Sequence, residues 1–232
     1  GEGIREDAVV YERTFFGPDT WKGRSVLLNF GAVDYFCRVW VNGQCVGTHS
    51  GGQTPFSFDV THCLNWGEEC IRVEVEDWLK NEQIARGKQY WEDESSFIWY
   101  TPSTGIWQTV WLEPVDPVHI EALMIRPDVD NSCLKVRVNA SLTTGVSVNI
   151  NLLDKAGDKV AAIAGGKVGR ILTLPIENPH LWSVDDPYLY DLDITIIKDG
   201  VQTDAVSSYC GMRKIEVKKV GETPRILLNG EQ

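Results

Sequence analysis

The 232-residue chain has no apolar run approaching the ~18 residues of a membrane span, and its first residues, GEGIREDAVV, lack a basic stretch followed by an apolar one. A soluble protein is the expectation, and a membrane is not an expected partner. Positive charge is also scarce, with 22 Lys and Arg against 33 Asp and Glu and a net charge of −11. That balance repels the phosphates of nucleic acid and offers anionic lipid no polybasic stripe. Sustained helical periodicity is missing too, which excludes a helical bundle.

Catalytic and metal signatures are equally sparse. There is no GxSxG elbow, and none of the four His sits in a triad motif, so they read as surface or strand residues. CxxC and HExxH are absent, and His62-Cys63 with Cys70 lacks a fourth zinc ligand at the usual spacing. Asp128-Val129-Asp130-Asn131 holds acids without the rest of a calcium loop, and reads as a solvated turn. Gly51-Gly52 and Gly165-Gly166 do not open helices, so they are loop glycines and not phosphate cradles. No cofactor is expected. The six cysteines, at 37, 45, 63, 70, 133 and 210, are irregularly spaced in a chain large enough to need no staples. They read as buried free thiols, pointing to a reducing cytoplasm, with a secreted or periplasmic location left open.

What the chain does have is apolar and aromatic material: 43% hydrophobic residues, with nine Trp, seven Tyr and seven Phe. These fall in short runs rich in Val, Ile and aromatics, punctuated by Gly, Asn, Asp and Pro, which predicts an all-β fold. In FCRVWVNGQCVGTHSGG, alternating residues flank Asn42-Gly43, the dipeptide of a type I′ turn, so 36–48 is expected to be a hairpin. Strands are expected at 9–15, 25–30, 56–60 and 71–76, enough for a sandwich or jelly roll. A strand at 105–113, GIWQTVWLE, ends before Pro114 and Pro117, which mark a domain boundary. The pattern restarts at 119–125, 134–140, 146–153, 159–163, 170–174, 188–197, 201–209 and 213–217, about the strand count of an immunoglobulin-like sandwich.

Between 78 and 104 the rhythm breaks. This connection, WLKNEQIARGKQYWEDESSFIWYTPST, far exceeds the usual ~4 to 6 residues. It contains Glu92, Asp93 and Glu94 within ten residues of Trp91, Phe97, Trp99 and Tyr100. Aromatic rings stack on the C–H faces of sugars while carboxylates take their hydroxyls, so the mixture suits carbohydrate. A solvated acidic loop and core packing of at least two of the rings are the ordinary readings beside it.

The order of these segments resembles the non-catalytic N-terminal half of family 2 glycoside hydrolases, the group of β-galactosidases, β-glucuronidases and β-mannosidases. The residues that carry the resemblance are YERTF at 11–15, WKGR at 21–24, VWVNGQCVGTHSGGQTPFSFDVT at 39–61 and STGIWQTVWLE at 103–113. NPHLWSVDDPYLYDLDITI at 178–196 and YCGMRKIEV at 209–217 continue it. The resemblance implies two β-sandwich domains, a galactose-binding-like jelly roll over 1–115 and an immunoglobulin-like domain over 116–220. Residues 221–232 become a connector, in which LLNG at 227–230 leads toward a (β/α)₈ barrel that this chain does not contain. The family's two catalytic glutamates belong to that barrel, so this chain alone is expected to be inactive and has no catalytic residue. RILLNGEQ, a strand stopping at an Asn-Gly turn, is expected to be the place where the sandwich part leads into the chemistry. In β-galactosidase-type members an acid a few positions before S-G-I reaches the sugar site. Here Trp99-Tyr100 stands there, which leaves Glu92, Asp93, Trp99 and Tyr100 as substrate-contact candidates. The implied partners are a carbohydrate substrate and, as in many relatives, further copies of the chain. The competing readings are a free-standing carbohydrate-binding or adhesion protein and a purely structural pair of sandwiches.

Overall fold

The computed structural model describes residues 8–92 and 94–231. Every regular element is extended apart from two short 3-10 turns, Asp19–Trp21 and Thr61–Cys63, among the described residues. The chain divides into two compact units between Val115 and Asp116.

The first unit contains β1 (Ala8–Phe16), β2 (Ser25–Phe30), β3 (Val33–Asp34), β4 (Phe36–Val41), β5 (Gln44–Ser50), β6 (Phe56–Asp59), β7 (Glu68–Glu76), β8 (Gly105–Ile106) and β9 (Val110–Val115). They form a four-stranded antiparallel sheet, β1-β7-β4-β5, a three-stranded one, β6-β2-β9, and a short β3-β8 pair. Alternation drives the inner residues together: Val26, Leu28 and Phe30 of one sheet meet Val39, Val41, Val73 and Val75 of the other, all 2% exposed or less. Each such side chain contributes about 1.5 to 3 kcal/mol by leaving water.

The hairpin forms around a two-residue turn, with Asn42 at φ 50° and Gly43 at φ 78°, the positive pair that type I′ requires. Asn42 does more than turn. Its amide donates to the Cys63 carbonyl (2.9 Å) and to Glu69, and its carbonyl oxygen accepts from Cys70 N–H (2.8 Å). Glu69 is 1% exposed. Burial pushes its carboxyl up, but hydrogen bonds from Asn42 and the Asn65, Gly67 and Trp66 backbone outweigh that and hold it below the usual range.

The expected strand at 105–113 is in fact two strands in different sheets, β8 and β9. Gly105, at φ 114°, opens β8, and the segment 107–109 carries the chain from β8 to β9. β9 then runs through Pro114, which is tolerated because β9 is an edge strand. β3 was not anticipated, being only two residues long.

The second unit contains β10 (Ile120–Asp128), β11 (Cys133–Ala140), β12 (Val146–Leu153), β13 (Lys159–Lys167), β14 (Ile171–Pro175), β15 (Tyr190–Lys198), β16 (Val201–Cys210), β17 (Ile215–Val220) and β18 (Thr223–Leu228). A β10-β11-β14 sheet faces a β13-β12-β15-β16 sheet, an immunoglobulin-like sandwich, and β17-β18 is a separate ribbon. Leu134, Val136, Ile150, Leu152, Leu192 and Ile194, all fully buried, fill its core. Tyr190 opens β15 with its hydroxyl accepting from His180 N–H (2.8 Å), the geometry of a tyrosine corner. Within Arg225–Glu231 the strand and Asn-Gly turn form: β18 ends in a turn with Asn229 at φ 53° and Gly230 at φ 87°, closed by paired Leu228–Glu231 backbone hydrogen bonds.

All six cysteines are free. Four are buried, but Cys45 is exposed and Cys70 half-buried, because both lie where their strands face outward or reach an edge. Burial pushes the Cys37 and Cys210 thiols up to about 11, far from reactive thiolates.

Candidate functional site

The connection from β7 to β8 is tied down at its base and middle. Asp77, 2% exposed, accepts from the Thr104 hydroxyl at 3.0 Å. Arg86 donates to the Leu79 carbonyl at 3.0 Å, over a Leu79 side chain that is itself buried. Lys88 to Tyr90 and Tyr100 form an isolated parallel bridge, with Tyr100 N–H to Lys88 O and Tyr90 N–H to Tyr100 O both 2.8 Å.

Gln89 holds this bridge to the sandwich. Its amide donates to Asp34 Oδ2 at 2.6 Å, while its carbonyl oxygen accepts from Ser103 N–H at 2.7 Å. Asp34 is 4% exposed, and burial raises its carboxyl above the usual range, partly offset by the Gln89 hydrogen bond. A Cβ on Gly52 would lie 2.3 Å from Asp34 Oδ1, so only glycine fits beside this acid. Sequence reasoning missed Asp34 and Gln89. The signal available was a lone acid inside the apolar stretch GAVDYF, while its partner lies 55 positions away.

The aromatic residues then separate into two groups. Tyr90, Trp91 and Trp99 form one cluster, with centroids 4.6 Å apart for Tyr90–Trp91 and 5.4 Å for Trp91–Trp99, and the Arg86 guanidinium lies 5.3 Å over Trp91. Tyr100 stands 65% exposed, with the Lys88 ammonium 5.9 Å from its ring, and Phe97 is almost fully exposed at φ 53°. Of the four candidates, Trp99 is thus half-buried in packing, Tyr100 presents its ring to solvent, and Glu92 is exposed. Asp93 lies outside the described residues. The loop therefore offers stacking surface with an exposed carboxylate nearby in sequence, an arrangement suited to a sugar. Among the described residues no group of His, Cys, Asp and Glu is placed to hold a metal ion.

A jelly-roll-type sandwich with an anchored aromatic loop, followed by an immunoglobulin-like sandwich, defines a tandem all-β protein. Residues 4–114 match the profile of the glycosyl hydrolases family 2 sugar binding domain, and residues 118–213 match that of glycosyl hydrolases family 2. The chain belongs to family 2 of the glycosyl hydrolases, as its non-catalytic N-terminal domains. It is 31% identical to a β-galactosidase of Clostridium acetobutylicum over 88% of this chain and 22% of that protein. It is 30% identical to a β-glucuronidase of Paenibacillus borealis over 97% of this chain and 38% of that one. The β-glucuronidase structure from Ruminococcus gnavus superposes with a TM-score of 0.77 at 21% identity, over 97% of this chain and 38% of that one, a likeness of fold. The chain spans between 20% and 38% of the length of the curated relatives it matches.

Proposed function

We propose that these two units are the accessory portion of a longer retaining exo-β-glycosidase, supporting a catalytic barrel and lending the 78–104 loop to one side of its substrate pocket. The observation that carries this reading is the ordered match of both units to one glycosidase family, over about a fifth to two fifths of each relative's length. The ribbon supports it: Val217 and Ile226, directly paired, are 68% and 72% exposed beside Ile215 at 63%. Such an apolar stripe suits a surface that further chain covers. In the pocket, Tyr100 and Glu92 are the groups that meet sugar, with Asp93, next to Glu92 in sequence, a further candidate and Trp99 a packed support.

The test is hydrolysis of nitrophenyl β-galactoside, β-glucuronide and β-mannoside. The 232-residue chain is expected to turn over none, whereas the same chain continued into its barrel hydrolyses one. In that longer protein Tyr100→Ala is expected to raise KM several-fold with little change in kcat. Turnover by the 232-residue chain overturns the reading.

A further inference from the structure

The outer face of the β6-β2-β9 sheet carries a second set of groups, unused by the loop. Since Val26, Leu28 and Phe30 point into the core, Leu27, Asn29 and Gly31 point out. The register places Ser57 and Trp111 on either side of Asn29, and Asp59 and Glu113 on either side of Leu27. The Ser57 hydroxyl donates to Asn29 Oδ1 at 2.6 Å, and the Asn29 amide reaches Glu113 Oε2 at 3.5 Å. Asn29 is 6% exposed under this row, while Trp111 stands 44% exposed beside it.

One step along the face, the lack of a side chain at Gly31 lets Gln108 pack directly over the backbone. A Cβ there would meet Gln108 Cβ at 2.7 Å and Oε1 at 2.8 Å, so the Gln108 amide lies over the glycine. An open groove of about 780 Å³ runs here, walled by Gln53, Pro55, Trp107, Gln108, Thr109 and Trp111. Trp107 is 47% exposed, and its indole N–H donates to Gly52 O at 2.7 Å, which fixes the ring.

Two half-exposed indoles are more apolar surface than folding requires, and neither belongs to the buried core of this unit. Their flat faces match the C–H faces of a pyranose. The amides of Gln53 and Gln108 each donate and accept, as sugar hydroxyls do. At about 780 Å³ and open to solvent, the groove has room for more than a single sugar residue. No Lys or Arg is among the residues that wall it, and Glu113 lies two positions beyond Trp111 on β9, which disfavours an acidic sugar.

We propose that this groove binds a neutral oligosaccharide chain, with Trp111 and Trp107 as stacking platforms and Gln53 and Gln108 as hydroxyl partners. This site is additional to the pocket reading and independent of it. Glycosidase assays decide that reading, and the following experiment decides this one.

The 232-residue chain is run by affinity electrophoresis in gels containing β-1,4-galactan, xyloglucan or galactomannan, with polygalacturonate as the anionic comparison. Retardation is expected in at least one neutral gel and not in polygalacturonate. Trp111→Ala is expected to weaken that binding at least ten-fold, and Trp111→Tyr to restore much of it, with unchanged melting as the folding control. Gln108→Ala, at an exposed position, is expected to weaken it several-fold. A paired Trp99→Ala, Tyr100→Ala variant is expected to bind as the parent does. The proposal is overturned if no neutral polysaccharide retards the chain, if Trp111→Ala is retarded as strongly as the parent, or if the loop pair abolishes binding.

Discussion

Asp34 and Gln89 show how two side chains position a loop of nearly thirty residues. Removing the Gln89 amide strips a buried carboxylate of its donor and frees Ser103 N–H, at about 1 to 3 kcal/mol. Gln89→Ala is expected to lower the urea midpoint accordingly and to speed tryptic cleavage after Arg86 or Lys88. The exchanged pair, Asp34→Asn with Gln89→Glu, keeps a donor facing an acceptor and an acceptor facing Ser103. It should recover most of the protection, and a double variant cleaved as fast as Gln89→Ala would show that this hydrogen bond does not hold the loop. The sign of the pH effect follows from the pKa of Asp34 in the folded protein, which burial raises above the ordinary aspartate value of 3.8. Its contribution to stability is fully present below that value and is lost as pH rises through the folded pKa. Asp34→Asn removes this slope, so the stability of wild type relative to the variant is expected to fall as pH rises from 3 to 7. None of this was legible locally, because a hydrogen bond spanning 55 positions leaves no periodic trace. The aromatic content of the loop was legible, but not which rings stack together and which stand free.

Elements coded by their own turns came through the sequence well. Asn42-Gly43 fixes the hairpin by backbone conformation, and β4 alternates as read, while in β5 a bulge at Val46 shifts the register, which no residue pattern announced. The split of β8 from β9 was hidden, since a continuous apolar alternation carries no mark of which sheet each piece joins. Close contacts between elements were hidden too. A Cβ on Gly47 of β5 would sit 2.3 Å from Phe58 Cε1 of β6, where the ring has backbone beneath it and core around it. Gly47→Ala is therefore expected to destabilise the first unit by about 1 to 3 kcal/mol, measured by thermal unfolding, and a neutral result would show that the Phe58 ring yields freely. In the second unit, Tyr190→Phe keeps the ring but withdraws the acceptor from His180 N–H. A loss of about 1 kcal/mol is expected, with the 178–190 segment exchanging its amides faster.

For the whole molecule, the two-sandwich fold was readable because β-strand alternation and turn residues repeat along nearly the entire chain. The ordered motifs further tied both halves to one glycosidase family. What no local pattern announced is the surface each unit leaves uncovered. On the β17-β18 ribbon, Val217 and Ile226 face solvent as a cross-strand pair, so neither contributes to a core within this chain. Replacing both by Lys is expected to leave the thermal midpoint of the 232-residue chain within about 2 °C, since exposed substitutions change little. The same variant should reduce hydrophobic-dye binding. If further chain covers this ribbon in the longer protein, the two lysines would there be buried without partners. The longer protein should then lose several degrees of thermal midpoint while the short chain does not. Equal, negligible effects in both would show that the stripe stays in water and would remove the ribbon as support for the accessory role.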